Sequence, residues 1–224
     1  MSTTGTGSGS SVKQQVKTLL QQRGFEELLE LCQRDRRFWS ALRQCLYEAD
    51  ENLSWPAIEA VAELMKRWWQ AGQREQVREY IRSLLWQLND ESGGIGWNAP
   101  QTIAEVVVAI PQLLDPYSSM MIARTIDEPA LIKSGLWGIG RLGTRIREAV
   151  AFFQDKVLEV LDSDDPETLG LAAWAMGEVG FAPALPSLEK LCDRAEPVRL
   201  YVDGGFQEKP LGRWAREAIK KSII

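Results

Sequence analysis

A stretch of 17 residues occurs twice in this sequence, and the distance between its two copies constrains the fold more than any other feature. Residues 127–143 read DEPALIKSGLWGIGRLG, and residues 164–180, which begin 37 positions later, read DDPETLGLAAWAMGEVG. Repeats of this length are typical of solenoids, in which one unit cannot bury its apolar face alone and therefore stacks on its neighbours. Such a stack offers an extended binding surface. The copies share residues at Asp127/Asp164, Pro129/Pro166, Trp137/Trp174, Gly140/Gly177 and Gly143/Gly180.

Apolar residues at helical spacing predict that the N-terminal third is helical as well. One helix is predicted from Val12 to Arg23, with Gly24 as its C-terminal cap. Ser54 is predicted to cap a longer helix that Gly72 ends, and another helix is predicted from Gln73 to Asn89. The last two of these form an antiparallel helical hairpin.

The C-terminal part departs from the helical pattern. Residues Val198 to Val202 alternate between apolar and polar, and the Asp203-Gly204 pair that follows is a strong signal for a β-hairpin. A final helix is predicted from about Pro210 to Ile219. We expect the hairpin and this helix, residues 197–221, to cap the open end of the stack.

The repeated segment resembles a known class of repeat. Residues 127–193 are similar to the HEAT-like repeats first described in phycobiliprotein lyases: an Asp-rich turn with Pro, a first helix ending in G-x-x-G, and a Leu-rich second helix. The whole chain resembles uncharacterised bacterial HEAT-repeat proteins that carry a comparable Gly-Gly-Ile-Gly-Trp segment and a hairpin near the C-terminus. The resemblance implies an all-α fold, a right-handed α-α superhelix with a small β-hairpin near the C-terminus.

The domain prediction follows from the same patterns. Residues 1–11, which are small and polar, predict a disordered tail. Residues 12–224 are predicted to form a single HEAT-like solenoid domain, with its clearest repeats at 127–163 and 164–193.

The absence of histidine excludes several classes of site. Ser-His-Asp and Cys-His catalysis need an imidazole, as do the di-iron sites of HEAT-like hydroxylases, which use His-Glu pairs. The net charge of −5 argues against broad phosphate binding, and the longest apolar run, Val106 to Ile110, is too short to cross a membrane. Three separate cysteines without a C-x-x-C pair favour a reducing cytoplasm. We therefore expect no catalytic, metal-binding or cofactor-binding residues and no nucleic-acid or membrane partner.

Three arginines form the first candidate binding site. Arg74, Arg78 and Arg82 recur every four residues on one predicted helix. In HEAT-like solenoids the second helices line the concave face, so the resemblance implies that these arginines contact an acidic partner or a phosphate. The alternative is a solvated helix face on which Glu75 and Glu79 pair with the arginines.

A glycine-rich segment, SGGIGWN at residues 92–98, is the second candidate. Backbone N–H groups in such a segment can bind an anion, although it is neither a P-loop nor a dinucleotide fingerprint. The alternative is a structural loop that lets Trp97 pack between units. The residues proposed to contact a partner here are Gly93, Gly94, Gly96, Trp97 and Asn98.

The tryptophans and aspartates of the chain have structural interpretations. Trp137 and Trp174 share a repeat position, which predicts packing between units. Burial is also expected for the helical tryptophans Trp39, Trp68, Trp69 and Trp86, and exposure for Trp55 and Trp97. The aspartates Asp127, Asp164 and Asp165 are predicted to cap helices, in preference to a weak cation site formed with Asp162.

These observations favour a non-enzymatic scaffold or adaptor that binds a protein partner on the concave face of a solenoid. The competing class is an enzyme or enzyme accessory. Within it, the resemblance implies a bilin-lyase-like factor and, less favoured because of the acidic composition, a HEAT-like DNA glycosylase.

Overall fold

The computed structural model describes residues 7–89 and 97–222, and its contacts divide the chain into two compact units, residues 1–80 and 81–224. Each unit is described by itself. In the described residues, no helix is long and apolar enough to cross a membrane.

In its described residues, 7–80, the first unit contains α-helices and no strand. Its core is formed by leucines that share complete burial, such as Leu20, Leu28, Leu42 and Leu64. Burial of apolar surface of this kind is the main driving force for helix packing. The helices are α1 (Gly7–Gln21), α2 (Phe25–Arg34), α3 (Arg36–Cys45), α4 (Glu51–Gln70) and α5 (Arg74–Gln87), the last of which continues past residue 80 into the second unit.

Both ends of the first helix differ from the prediction. Helix α1 begins at Gly7, so residues 7–11, assigned above to the tail, belong to the helix. At its other end Arg23, and not Gly24, adopts the left-handed conformation, with φ of 53°. The chain turns one residue earlier than expected because the Arg23 and Gly24 amides donate to the Leu20 and Leu19 carbonyls. Gly24 instead precedes α2.

The cap of α4 also differs from the prediction. The side chain of Asp50 accepts a hydrogen bond from the Asn52 amide and caps the helix, whereas Ser54 lies buried within it. Asp and Ser are both favourable N-cap residues, and Asp50 lies four residues before Ser54, so the helix begins one turn earlier than predicted. Pro56 consequently lies inside the helix, beyond its first turn.

The second unit contains eight further helices in its described residues and one two-stranded antiparallel sheet. The helices are α6 (Ala99–Ala109), α7 (Leu114–Thr125), α8 (Ile132–Leu142), α9 (Arg147–Phe152), α10 (Gln154–Glu159), α11 (Pro166–Val179), α12 (Leu185–Leu191) and α13 (Leu211–Ser222). The strands are β1 (Pro197–Val202) and β2 (Gly205–Pro210). The predicted hairpin and final helix are therefore confirmed.

Helices α6, α8, α11 and α13 pack side by side in that order. Ion pairs join neighbours in this layer: Arg141 with Glu105, and Lys221 with Glu178. Close packing follows from glycine at the shared repeat position, since the Trp174 ring lies over Gly140 and Ala218 lies against Gly177. Helix α13 thus occupies the place that the first helix of a further repeat would take.

The aspartates that precede the prolines of the two copies have different roles, and Asp164, the repeat counterpart of Asp127, does not cap α11 because its neighbour Asp165 does. Asp165 caps α11 by accepting hydrogen bonds from the backbone amide of Thr168 at 3.1 Å and its hydroxyl at 2.7 Å. Asp127 does not cap α8, which begins only at Ile132, and instead forms an ion pair with Lys156. The capping prediction is therefore wrong for Asp127, because a turn separates it from the helix.

Candidate functional site

The turn between α4 and α5 positions the predicted arginines. Gly72 adopts a left-handed φ of 84°, and its amide donates to the Trp69 carbonyl at 3.1 Å, while the Gln73 amide donates to the Trp68 carbonyl at 2.9 Å. This arrangement ends α4 and reverses the chain within a few residues. The last turn of α4 therefore lies beside the first turn of α5.

Two of the three predicted arginines share one aromatic neighbour. The guanidinium carbon of Arg74 lies 5.5 Å from the Trp69 ring centroid, and that of Arg78 lies 5.1 Å from it. Each cation–π contact contributes about 0.5–1 kcal/mol at an exposed site. Arg78 also lies 3.6 Å from a carboxylate oxygen of Glu75, a partly exposed pair of little energetic weight. The alternative interpretation, in which a glutamate pairs with an arginine on the helix face, therefore holds for Arg78 and Glu75. The structure adds the stacking of Arg74 and Arg78 on Trp69.

Buried aromatic rings support this surface from within the first unit. Trp68, next to Trp69, is buried and packs edge-on against Trp39 with 5.3 Å between ring centroids. The Tyr80 ring packs edge-on against the same Trp39 ring, also with 5.3 Å between ring centroids. Burial raises the pKa of the Tyr80 hydroxyl, so this group stays protonated and serves as a packing element. Trp68, the residue that precedes Trp69 on α4, is therefore held in a cluster of aromatic rings.

The other predicted site residues are not brought to this cluster by any described contact. Arg82 is exposed and belongs to the second unit. Gly93, Gly94 and Gly96 lie outside the described residues. Trp97 is 60% exposed, as predicted, and Asn98 immediately precedes α6, where its carbonyl accepts hydrogen bonds from Thr102.

Sequence reasoning missed the exposure of two aromatic side chains. Trp86 is 77% exposed, so the expectation that it is buried is wrong, and Phe152 is 82% exposed at the end of α9. On α5 the buried residues include Ile81, Leu84 and Leu85, and Trp86 lies on the opposite side of that stripe. The helical periodicity already contained this information, but the general tendency of Trp to be buried obscured it.

Two of the three cysteines, Cys32 and Cys45, are buried and are poor nucleophiles. Burial raises the pKa of the Cys32 thiol to about 12, and burial together with the charge of Glu48 raises that of Cys45. A nucleophilic or metal-binding cysteine needs a thiolate, which these environments disfavour. Within residues 7–89 and 97–222, no group of three or more Cys, Asp or Glu side chains is placed to hold a metal ion.

Comparison with known proteins gives one sequence relative and several structural ones. No protein-family model matches the chain. An uncharacterized protein from Archaeoglobus fulgidus is 30% identical over 128 residues, which cover 55% of this chain and 66% of that protein, so the chain spans slightly less than two thirds of its relative. A designed armadillo repeat protein in complex with the peptide (KR)4 superposes with a TM-score of 0.59 and 20% identity, covering 95% of this chain and 92% of that one.

A second designed armadillo repeat protein superposes with a TM-score of 0.58 and 18% identity over 96% of this chain and 92% of that one. The fold is an armadillo/HEAT-like helical repeat. This confirms the predicted fold class, all-α with a small hairpin. At this level of identity the likeness shows the fold alone, since one fold hosts many activities.

Proposed function

We propose that this chain is a non-enzymatic, cytoplasmic scaffold that binds an acidic segment of a partner protein. The observation that carries the proposal is that two guanidinium groups, those of Arg74 and Arg78, lie over the same indole ring, that of Trp69. A guanidinium stacked on a ring keeps the N–H donors in its own plane directed outward, where carboxylate oxygens bind in a bidentate manner.

Stacking on Trp69 also lowers the cost of binding. Ordering a long side chain at an interface costs about 0.5–1.5 kcal/mol, and the ring already restricts both arginines. Arg74 forms no ion pair with any side chain in the described part of the chain, so its charge is available to a ligand.

The remaining predicted residues belong to the second unit and form a separate candidate surface. On this unit Arg82 is exposed, and the exposed indole of Trp97 supplies an apolar anchor. The glycine-rich segment keeps its predicted role as an anion-binding backbone. The proposed contacts from this segment are Gly93, Gly94, Gly96, Trp97 and Asn98.

The charge of the expected partner is opposite to that of the peptide in the structural relative. The designed armadillo protein is complexed with the basic peptide (KR)4. An arginine pair on an indole repels such a peptide and attracts carboxylates. The shared feature that we transfer is therefore peptide binding by a repeat surface, with the sign of the charge set by Arg74 and Arg78.

The test measures binding of two fluorescent peptides to the full chain, one of eight glutamates and one with the sequence (KR)4. The double variant Arg74→Glu/Arg78→Glu is expected to weaken binding of the glutamate peptide by at least tenfold. Its matched control is Arg34→Glu/Arg36→Glu, which makes the same change in net charge at two exposed arginines of the first unit. Trp69→Ala is expected to weaken binding severalfold without changing the charge.

Equal loss of binding in the control would show that only net charge matters and would refute the site. Tighter binding of (KR)4 than of the glutamate peptide would refute the proposed partner class. Affinity purification from native lysate with the wild type and both double variants then identifies the natural partner.

A further inference from the structure

The β-hairpin has one covered edge and one open edge. Its turn residues Asp203 and Gly204 have φ of 53° and 77°, as in a type I′ turn, and Val202 pairs with Gly205. In such a turn the flanking pair is hydrogen-bonded, so every second residue along each strand directs its N–H and C=O away from the other strand. On β2 these residues are Phe206 and Glu208.

The edge formed by β1 is covered by the repeat helices. The Tyr201 carbonyl, an outward group of β1, accepts a hydrogen bond from the indole of Trp137 at 2.6 Å. Further along the strand the indole of Trp214 donates to the Val198 carbonyl at 3.2 Å, which also ties β1 to the helices. Val198 also packs directly on α11, since a Cβ placed on Gly170 would lie 2.4 Å from its methyl carbon. These contacts hold the hairpin in one position.

The edge formed by β2 has no such cover. In residues 7–89 and 97–222, no group hydrogen-bonds to the outward backbone atoms of Phe206 or Glu208. Pro210, which has no N–H, ends the edge. Two N–H and two C=O groups on a fixed strand are thus left to pair with a further strand.

We propose that the edge of β2 binds an extended segment of a partner protein as a third strand, with a basic residue of that segment beside Glu208. Strand addition of this kind obtains affinity from main-chain hydrogen bonds and specificity from the side chains opposite. Glu208 is exposed and forms no ion pair within the described residues, whereas Arg199, which faces it on β1, has its guanidinium 3.4 Å from the Phe206 ring centroid. A basic side chain opposite Glu208 forms a favourable cross-strand pair of opposite charges.

Charge disfavours a second copy of this chain as the occupant. A two-fold pairing of β2 with itself that uses the outward groups centres on Gln207 and sets Glu208 opposite Phe206 of the other copy. The two Glu208 carboxylates then lie on one face as diagonal neighbours, about 7–8 Å apart, where like charges repel. A partner segment with a basic residue avoids this repulsion.

The test uses NMR to follow the full chain during titration with each of two short peptides, Thr-Val-Lys-Val-Thr and Thr-Val-Glu-Val-Thr. In the free protein the amides of Phe206 and Glu208 are expected to exchange rapidly with solvent, and the lysine peptide is expected to slow both. Glu208→Pro removes an outward N–H that takes no part in the hairpin ladder, and is expected to weaken binding at least tenfold. Glu208→Gln keeps the edge and is expected to abolish the preference for the lysine peptide.

Protection of the Leu200 and Gln207 amides, which belong to the ladder, reports whether the hairpin stays closed in each variant. If Glu208→Pro opens it, Glu208→Gln alone carries the test. Absence of saturable binding by the wild type at millimolar lysine peptide overturns the proposal, as does equal binding of both peptides or unchanged binding by a closed Glu208→Pro variant. Pairing between copies would appear as concentration-dependent protection of Phe206 without peptide, and would also overturn it.

This edge does not depend on the arginine site. Arg74→Glu/Arg78→Glu is expected to retain the lysine peptide at the hairpin while it loses the glutamate peptide, so the failure of either proposal is recognised separately.

Discussion

The two tryptophans at the shared repeat position are predicted to differ in what they contribute to stability. From the sequence Trp137 and Trp174 are equivalent. In the structure the Trp137 indole is 4% exposed and donates a hydrogen bond of 2.6 Å to the Tyr201 carbonyl of the hairpin. Trp174 is half-buried, and its indole N–H contacts no acceptor among the described residues. Replacing each by Phe therefore separates packing from hydrogen bonding.

The expected magnitudes follow from these contacts. Trp137→Phe leaves a buried carbonyl without this donor, at a cost of about 1–3 kcal/mol. The lost volume, about 40 Å³ at about 24 cal/mol per Å³, adds roughly 1 kcal/mol. Trp174→Phe loses only part of a half-buried contact with Gly140, which we estimate at less than about 1 kcal/mol. The two variants should thus differ by about 2 kcal/mol in the free energy of unfolding.

Urea unfolding gives this difference, and hydrogen exchange locates it. Exchange of the Leu200 and Gln207 amides in the hairpin ladder should accelerate in Trp137→Phe and remain unchanged in Trp174→Phe. Equal destabilisation by both substitutions, or unaltered exchange in Trp137→Phe, would refute the conclusion that this tryptophan fixes the hairpin.

Two further predictions concern α11. Gly177→Ala places a methyl group 2.6 Å from the Cα of Ala218 in α13, and we expect the resulting shift to cost about 1–3 kcal/mol, reduced by about 1 kcal/mol of helix propensity. Gly138→Ala, the control, comes within 3 Å only of the flexible end of Met121 and meets Ala104 at an ordinary contact distance of 3.5 Å, so it should be nearly neutral in the same urea experiment. A comparable loss in both variants would contradict the packing argument. For Asp165, burial raises the pKa, but hydrogen bonds from Thr168 and Lys133 together lower it to about 2. The contribution of the Asp165 carboxylate to stability is therefore present above about pH 4 and lost between about pH 4 and 2. Asp165→Asn should have a free energy of unfolding lower than that of the wild type by up to about 1 kcal/mol at pH 7 and equal to it near pH 2. A difference independent of pH would contradict this assignment.

The sequence predicted elements whose signals are local. Apolar spacing indicated the helices, and Asp203-Gly204 indicated the hairpin turn, since both depend on neighbours within a few residues. It did not show that Arg23 would take the left-handed position beside Gly24, because the amides of Arg23 and Gly24 bond to the Leu20 and Leu19 carbonyls and so place the turn one residue earlier.

The candidate site was predictable in part for the same reason. The four-residue spacing of Arg74 and Arg78 was evident, but their common stacking on Trp69 depends on how the turn at Gly72 places α4 beside α5. The donor from Trp137 to the hairpin joins residues 64 positions apart, and no local pattern encodes it. Contacts between distant segments were therefore the part that sequence reasoning missed.

Ion pairs between neighbouring helices in the layer formed by α6, α8, α11 and α13 favour one order of stacking. Arg141 and Glu178 occupy the same position in the two copies, yet they carry opposite charges, and each binds a neighbour of opposite sign: Glu105 and Lys221. Deleting residues 127–163 would bring α11 next to α6 and set Glu178 against Glu105. Such a chain should fold less stably than the modularity of solenoids implies, and Glu178→Arg should restore part of the loss. The two copies share a packing surface, but their charges make them non-interchangeable.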